Sequence, residues 1–368
     1  MEKPAIYRIV LTGGPCGGKS TALAHIAERM QALGFTVYRV PEAATIVLGG
    51  GVNIQGISPE VRVGLQEAIL KVMMNLEDAF YEMAHYSQQP VIVLCDRGVM
   101  DVQAYLDDHS WTALLDEHNW TAVGLRDKRY EAVLHLVTAA DGAESFYTTE
   151  NNAVRSETPE HARRLDARVR DAWIGHPHLR VIDNSTDFDH KVQRVVAAVC
   201  QVTGVPEPLE IERKYLVRRA PTLAEMPVAC QEFDIDQTYL LSPDGSPTRV
   251  RRRGQNGAYV YTHTIKRTLS STQRVEIEHQ ITGREYIRFL SQADPARRPI
   301  RKRRRVFLWS HRYFELDTFL SPRPGLQLLE IELDDETSPV ELPPFIEIDR
   351  EVTADPQYQN QSLAKEKD

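Results

Sequence analysis

In the first half of the chain, short apolar runs alternate with segments whose apolar residues recur every three or four positions. Continuous apolar runs are typical of strands covered on both faces, and the longer spacing is typical of helices that bury one side. The predicted strands are residues 6–11, 36–40, 91–95, 132–138 and 179–182, and the clearest helices are 19–33 and 61–83. Strands that alternate with helices predict an α/β domain with a parallel sheet.

Beyond about residue 205 the apolar residues alternate with polar ones at a period of two. The predicted strands are 209–219, 234–241, 248–253, 258–266, 273–281, 300–309, 312–319 and 326–333, with one helix at 284–293. Eight such strands predict a mostly antiparallel barrel or sandwich. Because the turn-rich segment TGVPEP at 203–208 lies between the two patterns, we expect domains at 1–204 and 205–368.

Composition narrows the class of protein. No apolar run approaches the roughly 20 residues that a membrane-spanning helix needs, so we expect no transmembrane segment. The four cysteines show no metal-ligand spacing, which favours a reducing, cytoplasmic location. Residues 1–209 contain 19 Lys and Arg against 27 Asp and Glu, and residues 210–368 contain 25 against 25. This balance argues against binding duplex nucleic acid, which usually requires a net-basic face.

A phosphate-binding motif follows the first predicted strand. The segment GGPCGGKS satisfies G-x-x-x-x-G-K-[ST] and has the strand before it and the helix after it that such a loop requires. In such a loop the backbone N–H groups wrap phosphate oxygens, Lys19 reaches the β/γ oxygens, and the Ser20 hydroxyl binds Mg²⁺. The predicted phosphate-binding residues here are Gly13, Gly14, Pro15, Cys16, Gly17, Gly18, Lys19, Ser20 and Thr21.

Further polar residues are expected near this loop. Asp96 and Arg97 end the strand VIVLC, where a P-loop sheet presents a carboxylate to the metal and an arginine to phosphate. A helix-capping aspartate beside a solvated arginine is the alternative. Glu42, after the second strand, would line the same crevice or simply begin a helix.

An arginine-rich stretch, RSETPEHARRLDARVRDAW, predicts a mobile lid over the phosphates, with Arg155 and either Arg163 or Arg164 as its binding residues. A solvated helix with i,i+4 ion pairs explains most of the same pattern.

Together these features resemble the kinase-like P-loop NTPases, the group that contains thymidylate kinase and nicotinamide riboside kinase. The resemblance covers residues 6–200 and implies a purine nucleotide, ATP or GTP. It also implies that the segment HPHLRVIDNST closes over the base, with Asp183, Asn184 and Ser185 nearby. Kinase, NTPase and nucleotide switch all remain open.

The strands of the second half place charges where a half-buried strand usually places apolar residues. In LEIERKYLV, for example, Glu210, Glu212 and Lys214 share one face. The same inversion recurs at Arg249, Arg251 and Arg253, at Glu276 and Glu278, at Lys302 and Arg304, at Glu315 and Asp317, and at Glu330 and Glu332, and Lys266 ends a further strand. A single strand of this kind is a solvated face. Several together predict a barrel that binds a polyphosphate, with bases neutralising its oxygens and carboxylates holding a divalent cation.

The motif ExExK and the ordered charged strands resemble the triphosphate tunnel metalloenzymes, the CYTH family, over residues 209 to about 335. The resemblance implies an eight-stranded tunnel that binds a triphosphate with Mg²⁺ or Mn²⁺ and often hydrolyses it. By position it implies metal ligands at Glu210, Glu212, Glu330 and Glu332. It implies phosphate contacts from Lys214, Arg249, Arg251, Lys266, Lys302 and Arg304, with Glu276, Glu278 and Asp317 orienting water, metal or basic groups. A shift of one residue would instead turn Arg301, Arg303 and Arg305 inward, and Arg251 and Arg253 are an alternative inward pair on their strand.

The order of the two domains is also similar to the insect TRPL translocation-defect protein and its bacterial relatives, which implies possible binding of anionic lipid headgroups in the tunnel. Plant uridine-kinase-like proteins join similar domains. The leading hypothesis is a Mg²⁺-dependent nucleotide-hydrolysing domain fused to a metal-dependent tunnel that hydrolyses a triphosphate or phosphoanhydride. The alternatives are a small-molecule kinase with a regulatory tunnel, and a GTP-binding switch whose tunnel binds phosphoinositide or polyphosphate without catalysis.

Overall fold

The structure is a computed structural model of the chain. It describes residues 4–52, 54, 56–144, 158–205, 211–242, 247–268, 274–333 and 339–365, and for 266–268 and 274–277 it describes the backbone alone. The chain divides into two compact units, Met1–Pro206 and Glu207–Asp368, called here the first and the second unit.

A five-stranded parallel sheet forms the centre of the first unit. Its strands are β1 (Ile6–Thr12), β2 (Thr36–Val40), β3 (Val91–Asp96), β4 (Ala132–Leu136) and β5 (Leu179–Ile182). Their order is β2-β3-β1-β4-β5, and every ladder is parallel. The chain leaves β1 and β3 at the same edge of the sheet, so the loops that follow these two strands enclose a crevice, the usual ligand site of such sheets.

In the described part of the first unit, six α-helices accompany this sheet. They are α1 (Lys19–Ala32), α2 (Ala43–Gly49), α3 (Pro59–Ala84), α4 (Asp108–Glu117), α5 (Pro159–Ala172) and α6 (Phe188–Thr203). Helices α3, α5 and α6 begin at the polar caps Ser58, Thr158 and Asp187, whose side chains accept a hydrogen bond from the first turn. A 3₁₀ helix at Val99–Tyr105 follows β3.

The predicted α/β domain with a parallel sheet is confirmed. Ile9, Leu11 and Leu94 pack with Ile26 of α1 and Val195 of α6 in one core, and α3 contacts β1, β2 and β3. The strand predicted at 132–138 ends at Leu136. It ends early because Thr138 leaves the sheet and donates its hydroxyl to Pro15 O (2.5 Å).

The described residues of the second unit form nine strands, where eight were predicted. They are β6 (Ile211–Arg219), β7 (Cys230–Leu240), β8 (Thr248–Gln255), β9 (Ala258–Thr268), β10 (Arg274–Ile281), β11 (Ile300–Trp309), β12 (Arg312–Ser321), β13 (Gln327–Leu333) and β14 (Glu347–Glu351). Their order is β10-β9-β8-β7-β11-β12-β13-β6-β14, with antiparallel ladders throughout. The predicted antiparallel class is confirmed; the ninth strand, β14, was missed because EIDRE contains a single apolar residue.

Apolar and charged side chains lie on opposite faces of this sheet. One face, called here the apolar face, carries Tyr215, Val217, Phe314, Leu329 and Ile331 and is covered by residues between the strands, among them Met226, Leu342, Phe345 and Ile346. The opposite face carries the alternating charges. Helix α7 (Gly283–Leu290) contacts β7, β8 and β9, and the short helix α8 (Asn360–Leu363) lies near the end of the chain. Within the described residues, none of the helices has the length and apolarity that crossing a membrane requires.

Candidate functional site

The predicted phosphate loop, residues 13–20, connects β1 to α1. Gly13 has φ +133°, and a Cβ there would lie 2.1 Å from Leu136 O, so only glycine fits. The Lys19 ammonium donates to Gly13 O (3.0 Å) and Gly14 O (2.8 Å). The loop backbone therefore surrounds the end of the Lys19 side chain. Ser20 and Thr21 are exposed at the start of α1, where backbone N–H groups have no helical partner.

Lys19 lies in an environment that disfavours its charge. Burial lowers its pKa to about 8, and the positive charge of Arg97 acts in the same direction against the carboxylates of Asp96 and Asp101. A lysine with this pKa loses its proton only above neutral pH, and a bound anion would raise its pKa and so keep the ammonium charged.

Asp96 and Arg97 lie beside the loop, at the end of β3. Arg97, at φ +72°, donates from Nε to Glu42 Oε1 (2.6 Å) and from Nη1 to Gly13 O (3.3 Å). Asp96 is half-buried, and burial together with the neighbouring Glu42 raises its pKa. The structure therefore brings together Lys19, Asp96, Arg97 and Glu42, the four residues that the sequence placed at this crevice.

The other predicted nucleotide contacts of this unit are engaged elsewhere or lie outside the description. Arg163 Nε donates to Ala140 O (2.5 Å), and Arg164 is exposed. The Asn184 amide donates to Thr138 O (2.8 Å) and Asp141 O (2.6 Å), so it fastens the loop after β4. Arg155 lies outside the described residues.

Two buried aspartates at this crevice were not predicted. Asp101 accepts hydrogen bonds from Thr12 Oγ1 (2.6 Å) and Trp173 Nε1 (2.6 Å). Asp166 accepts from Gly14 N (2.7 Å). A signal for Asp166 was present, because it lies on the buried stripe of α5 with Ala162 and Val169, where an unpaired carboxylate would be costly.

Ion pairs fill the centre of the charged face in the second unit. Arg304 donates from Nε and Nη2 to the two carboxylate oxygens of Asp317 (both 2.7 Å), and Nη2 also contacts Glu330 Oε2 (3.1 Å). Lys302 pairs with Asp317 as well, and Lys214 Nζ lies 3.0 Å from Glu330 Oε1. These five side chains are each at most 8% exposed, so they form a polar core; it is called here the charged cluster.

The pairing of β11 with its neighbours decides which of its basic side chains point to the charged cluster. Lys302 and Arg304 lie in the charged cluster, whereas Arg301 and Arg303 are exposed and pair with Asp236 and Asp234 on the other side. On β8, Arg249, Arg251 and Arg253 share a face, Arg251 pairs with Glu278 (2.9 Å), and Arg253 lies over the ring of Phe233 (3.6 Å). The alternative in which Arg301, Arg303 and Arg305 point inward is therefore not the one observed.

The carboxylates of the cluster differ in their proton affinity. Burial would raise the pKa of Asp317, but Arg304 and Lys302 hold it well below its usual value. Glu315 pairs with Arg304, yet burial and the charges of Asp317, Glu330 and Glu332 raise its pKa. Sequence reasoning had noticed Glu315 but had not assigned it to the site.

The remaining predicted residues of the second unit are described only in part. Glu212 pairs with Lys214 (3.4 Å), and its strand position is opposite Glu332. Thr264 Oγ1 donates to Glu278 Oε2 (2.8 Å). Positions 266 and 276 are paired in the β9–β10 ladder, but the side chains of Lys266 and Glu276 are not described. Glu210 lies outside the described residues.

The predicted metal ligands are of a suitable type, but the described residues do not form a complete metal-binding site. Of the predicted ligands, Glu212, Glu330 and Glu332 are described, and they are carboxylates on neighbouring strands, the oxygen donors that Mg²⁺ and Mn²⁺ prefer. Glu315, which was not predicted as a ligand, lies opposite Glu330 on the next strand. The raised pKa of Glu315 shows negative charge that a cation would relieve. In the part of the chain that is described, however, no three His, Cys, Asp or Glu side chains converge closely enough to hold a metal ion. Glu330 pairs instead with Lys214 and Arg304.

The fold and the site define a protein with a P-loop α/β unit followed by an antiparallel sheet that buries paired acids and bases. The family model described as "AAA domain" matches residues 8–191, half of the chain. An inorganic triphosphatase of Acetivibrio thermocellus is 33% identical over 132 residues, which are 35% of this chain and 78% of that protein. The chain thus belongs to the AAA domain family and also to the family of this triphosphatase.

Two solved structures are also similar to parts of the chain. One is an inorganic triphosphatase, 28% identical, covering 42% of this chain and 97% of its own, with a TM-score of 0.31. The other is the thymidylate kinase of Ehrlichia chaffeensis, 15% identical, covering 54% of this chain and 100% of its own, with a TM-score of 0.37.

Proposed function

We propose that the first unit binds and hydrolyses a purine nucleotide, ATP or GTP, with Mg²⁺, and that the second unit hydrolyses a triphosphate or related phosphoanhydride with Mg²⁺ or Mn²⁺. The proposed domains are 1–204 and 205–368, in a cytoplasmic protein. The observation that carries the proposal is the charged cluster, in which Lys214, Lys302 and Arg304 are buried together with the carboxylates of Asp317 and Glu330. The likeness to a protein named inorganic triphosphatase supports it.

The chemistry of the second unit follows from the competition between carboxylates and phosphate for the same cations. A triphosphate carries several negative charges, so it would take up donors of Lys214, Lys302 and Arg304, together with Arg249 and Arg251 from β8. Asp317 keeps Arg304 and Lys302 oriented while they stabilise the charge that develops on the leaving phosphate. A divalent cation held by Glu212, Glu330 and Glu332, with Glu210, would polarise the phosphoryl group.

In the first unit the phosphate loop supplies backbone N–H groups and Lys19. Lys19 now donates to two carbonyls of its own loop, and it would exchange them for the β/γ oxygens of a nucleotide. Arg97 lies within reach of the same crevice, and Ser20 with Asp96 would hold Mg²⁺, which neutralises the phosphates when bound.

A kinase remains the second candidate, favoured by Asp96. Its half-buried carboxylate has a raised pKa, the property of a group that takes a proton from an acceptor hydroxyl. Labelled γ-phosphate would then appear on an organic acceptor instead of in inorganic phosphate, which product analysis with radiolabelled ATP and GTP distinguishes.

The test of the proposal is phosphate release from ATP, GTP, tripolyphosphate and pyrophosphate with Mg²⁺ or Mn²⁺. We expect Lys19→Ala to abolish nucleotide turnover and leave tripolyphosphate turnover unchanged. Glu212→Gln, which alters a half-exposed side chain, should lower tripolyphosphate turnover at least tenfold. Glu232→Gln on the opposite side of the sheet is the matched control.

If tripolyphosphate turnover does not depend on Glu212 or on any residue of the charged cluster, the second unit is not a hydrolase. A binding-only tunnel would then explain the cluster, provided that anion binding persists without turnover.

A further inference from the structure

A buried carboxylate of α5 contacts the beginning of the phosphate loop. Asp166 is 4% exposed, and its Oδ1 accepts hydrogen bonds from Gly14 N (2.7 Å) and from Thr138 N (3.2 Å). Asp166 thus joins three segments that are far apart in the sequence: the loop after β1, the loop after β4, and the middle of α5.

The backbone of the loop lies close to Asp166 and is hydrogen-bonded on several sides. A Cβ on Gly14 would lie 2.7 Å from Asp166 Oδ1, so the glycine lets the carboxylate reach the backbone. The carbonyl of Gly14 accepts from Lys19 Nζ (2.8 Å), and Pro15 O accepts from Thr138 Oγ1 (2.5 Å). The first peptides of the loop are therefore held by α5 on one side and by Lys19 and Thr138 on the others.

A histidine orients the carboxylate from behind. His135 on β4 is fully buried, and its Nε2 lies 3.1 Å from Asp166 Oδ2. Because a carboxylate oxygen only accepts, the imidazole carries its proton on Nε2. This hydrogen bond fixes the carboxylate plane, so that Oδ1 faces the two backbone N–H groups.

We infer that Asp166 is a positioning residue of the phosphate loop: it couples α5, the arginine-bearing helix, to the backbone that wraps the phosphates. The functional consequence rests on the proposed nucleotide binding of the first unit. Asp166 itself touches neither Lys19 nor the exposed end of α1 in the contacts described, so it acts through Gly14. Trp173, just beyond α5, donates to Asp101 and thereby joins the same helix to Thr12 at the end of β1.

Three variants separate positioning from folding. Asp166→Ala removes the acceptor. Asp166→Asn keeps an oxygen that accepts from both N–H groups, while its amide nitrogen donates to His135 Nε2 once the imidazole proton moves to Nδ1. Asp171→Asn is the matched control, because Asp171 lies on the same helix, its side chain is 40% exposed, and in the contacts described that side chain pairs with Arg170. Circular dichroism melting of the full-length chain establishes that each variant is folded at the temperature of the other measurements.

The first readout is hydrogen exchange of the peptides that contain Gly14 and Thr138. We expect Asp166→Ala to accelerate exchange of both amides about tenfold, as the loss of a charge-assisted hydrogen bond implies, and Asp166→Asn and Asp171→Asn to stay within about threefold of wild type. Unchanged exchange in folded Asp166→Ala would overturn the inference, and so would equal acceleration in the Asn variant.

The second readout is the Kd of ATP and GTP with Mg²⁺. We expect it to rise about tenfold in Asp166→Ala and to be largely restored in Asp166→Asn. Wild-type affinity in folded Asp166→Ala would contradict the coupling. If the wild-type chain binds neither nucleotide, the proposed function fails, whereas the hydrogen exchange result still decides whether Asp166 positions the loop.

Discussion

At the scale of single residues, neighbours decide what a side chain does. Lys19 is a phosphate-binding lysine by motif, but its pKa of about 8 comes from burial and from Arg97. Asp317 and Glu315 alternate on the same strand and contact the same arginine, yet their pKa values shift in opposite directions. Burial raises the pKa of both carboxyls, but Asp317 faces two cations that outweigh it, whereas Glu315 faces one cation together with three other carboxylates.

The pKa of Lys19 predicts the pH dependence of nucleotide binding. Below pH 8 the ammonium is charged and affinity should be constant; above pH 8 the free protein loses this charge, so affinity should fall by up to about tenfold per pH unit. Titrating Kd from pH 6.5 to 9.5 measures the effect. Lys19→Arg stays charged and should show no such decline. A wild-type Kd that stays constant to pH 9.5 would mean that the charge of Lys19 is not needed.

At the scale of elements, β11 shows how one strand serves two surfaces. Its residues alternate between the charged cluster and an exposed side where Arg303 lies near Asp234. The strand tolerates charges on both sides because each inward cation has a buried carboxylate partner. A strand with the same composition and no such partners would leave uncompensated charges in the interior.

This difference predicts that replacing two adjacent arginines by alanine lowers the free energy of unfolding by unequal amounts. Arg304→Ala should lower the free energy of unfolding by roughly 3 kcal/mol, because it leaves Asp317 and Glu330 buried with fewer partners. Arg303→Ala should change it by less than about 0.5 kcal/mol, since its ion pair is exposed. Urea unfolding at neutral pH measures both. Equal losses would show that the cluster contributes no more than a surface ion pair.

At the scale of the whole molecule, the chain consists of two compact units that each bury their own polar site. The phosphate loop depends on contacts within the first unit, and the charged cluster on contacts within the second. Effects of substitutions in separate, non-contacting sites usually add as free energies.

We therefore expect the double variant Lys19→Ala/Glu212→Gln to lose each activity by the same factor as the corresponding single variant. Nucleotide turnover and tripolyphosphate turnover, measured on the full-length chain, provide the two readouts. An interaction larger than about threefold in either readout would reveal communication between the units.

The sequence by itself determined the two fold classes, the phosphate loop, and the strands on which charges alternate. These features follow from periodicity and from a motif whose glycine spacing is local, so no knowledge of distant contacts is needed. The weakly apolar strand β14 was not predicted, because its pairing with β6 defines it and its own sequence pattern does not.

Only the tertiary structure decided which side chains meet. The register of β11 against β12 selected Lys302 and Arg304 for the interior, because a shift of one residue reverses every face. The contact of Asp166 with Gly14 joins residues 152 positions apart. The hydrogen bond from the Asn184 amide to Thr138 O forms because the loop after β4 folds back toward Asn184. Such contacts arise from packing between elements, which local sequence patterns do not encode.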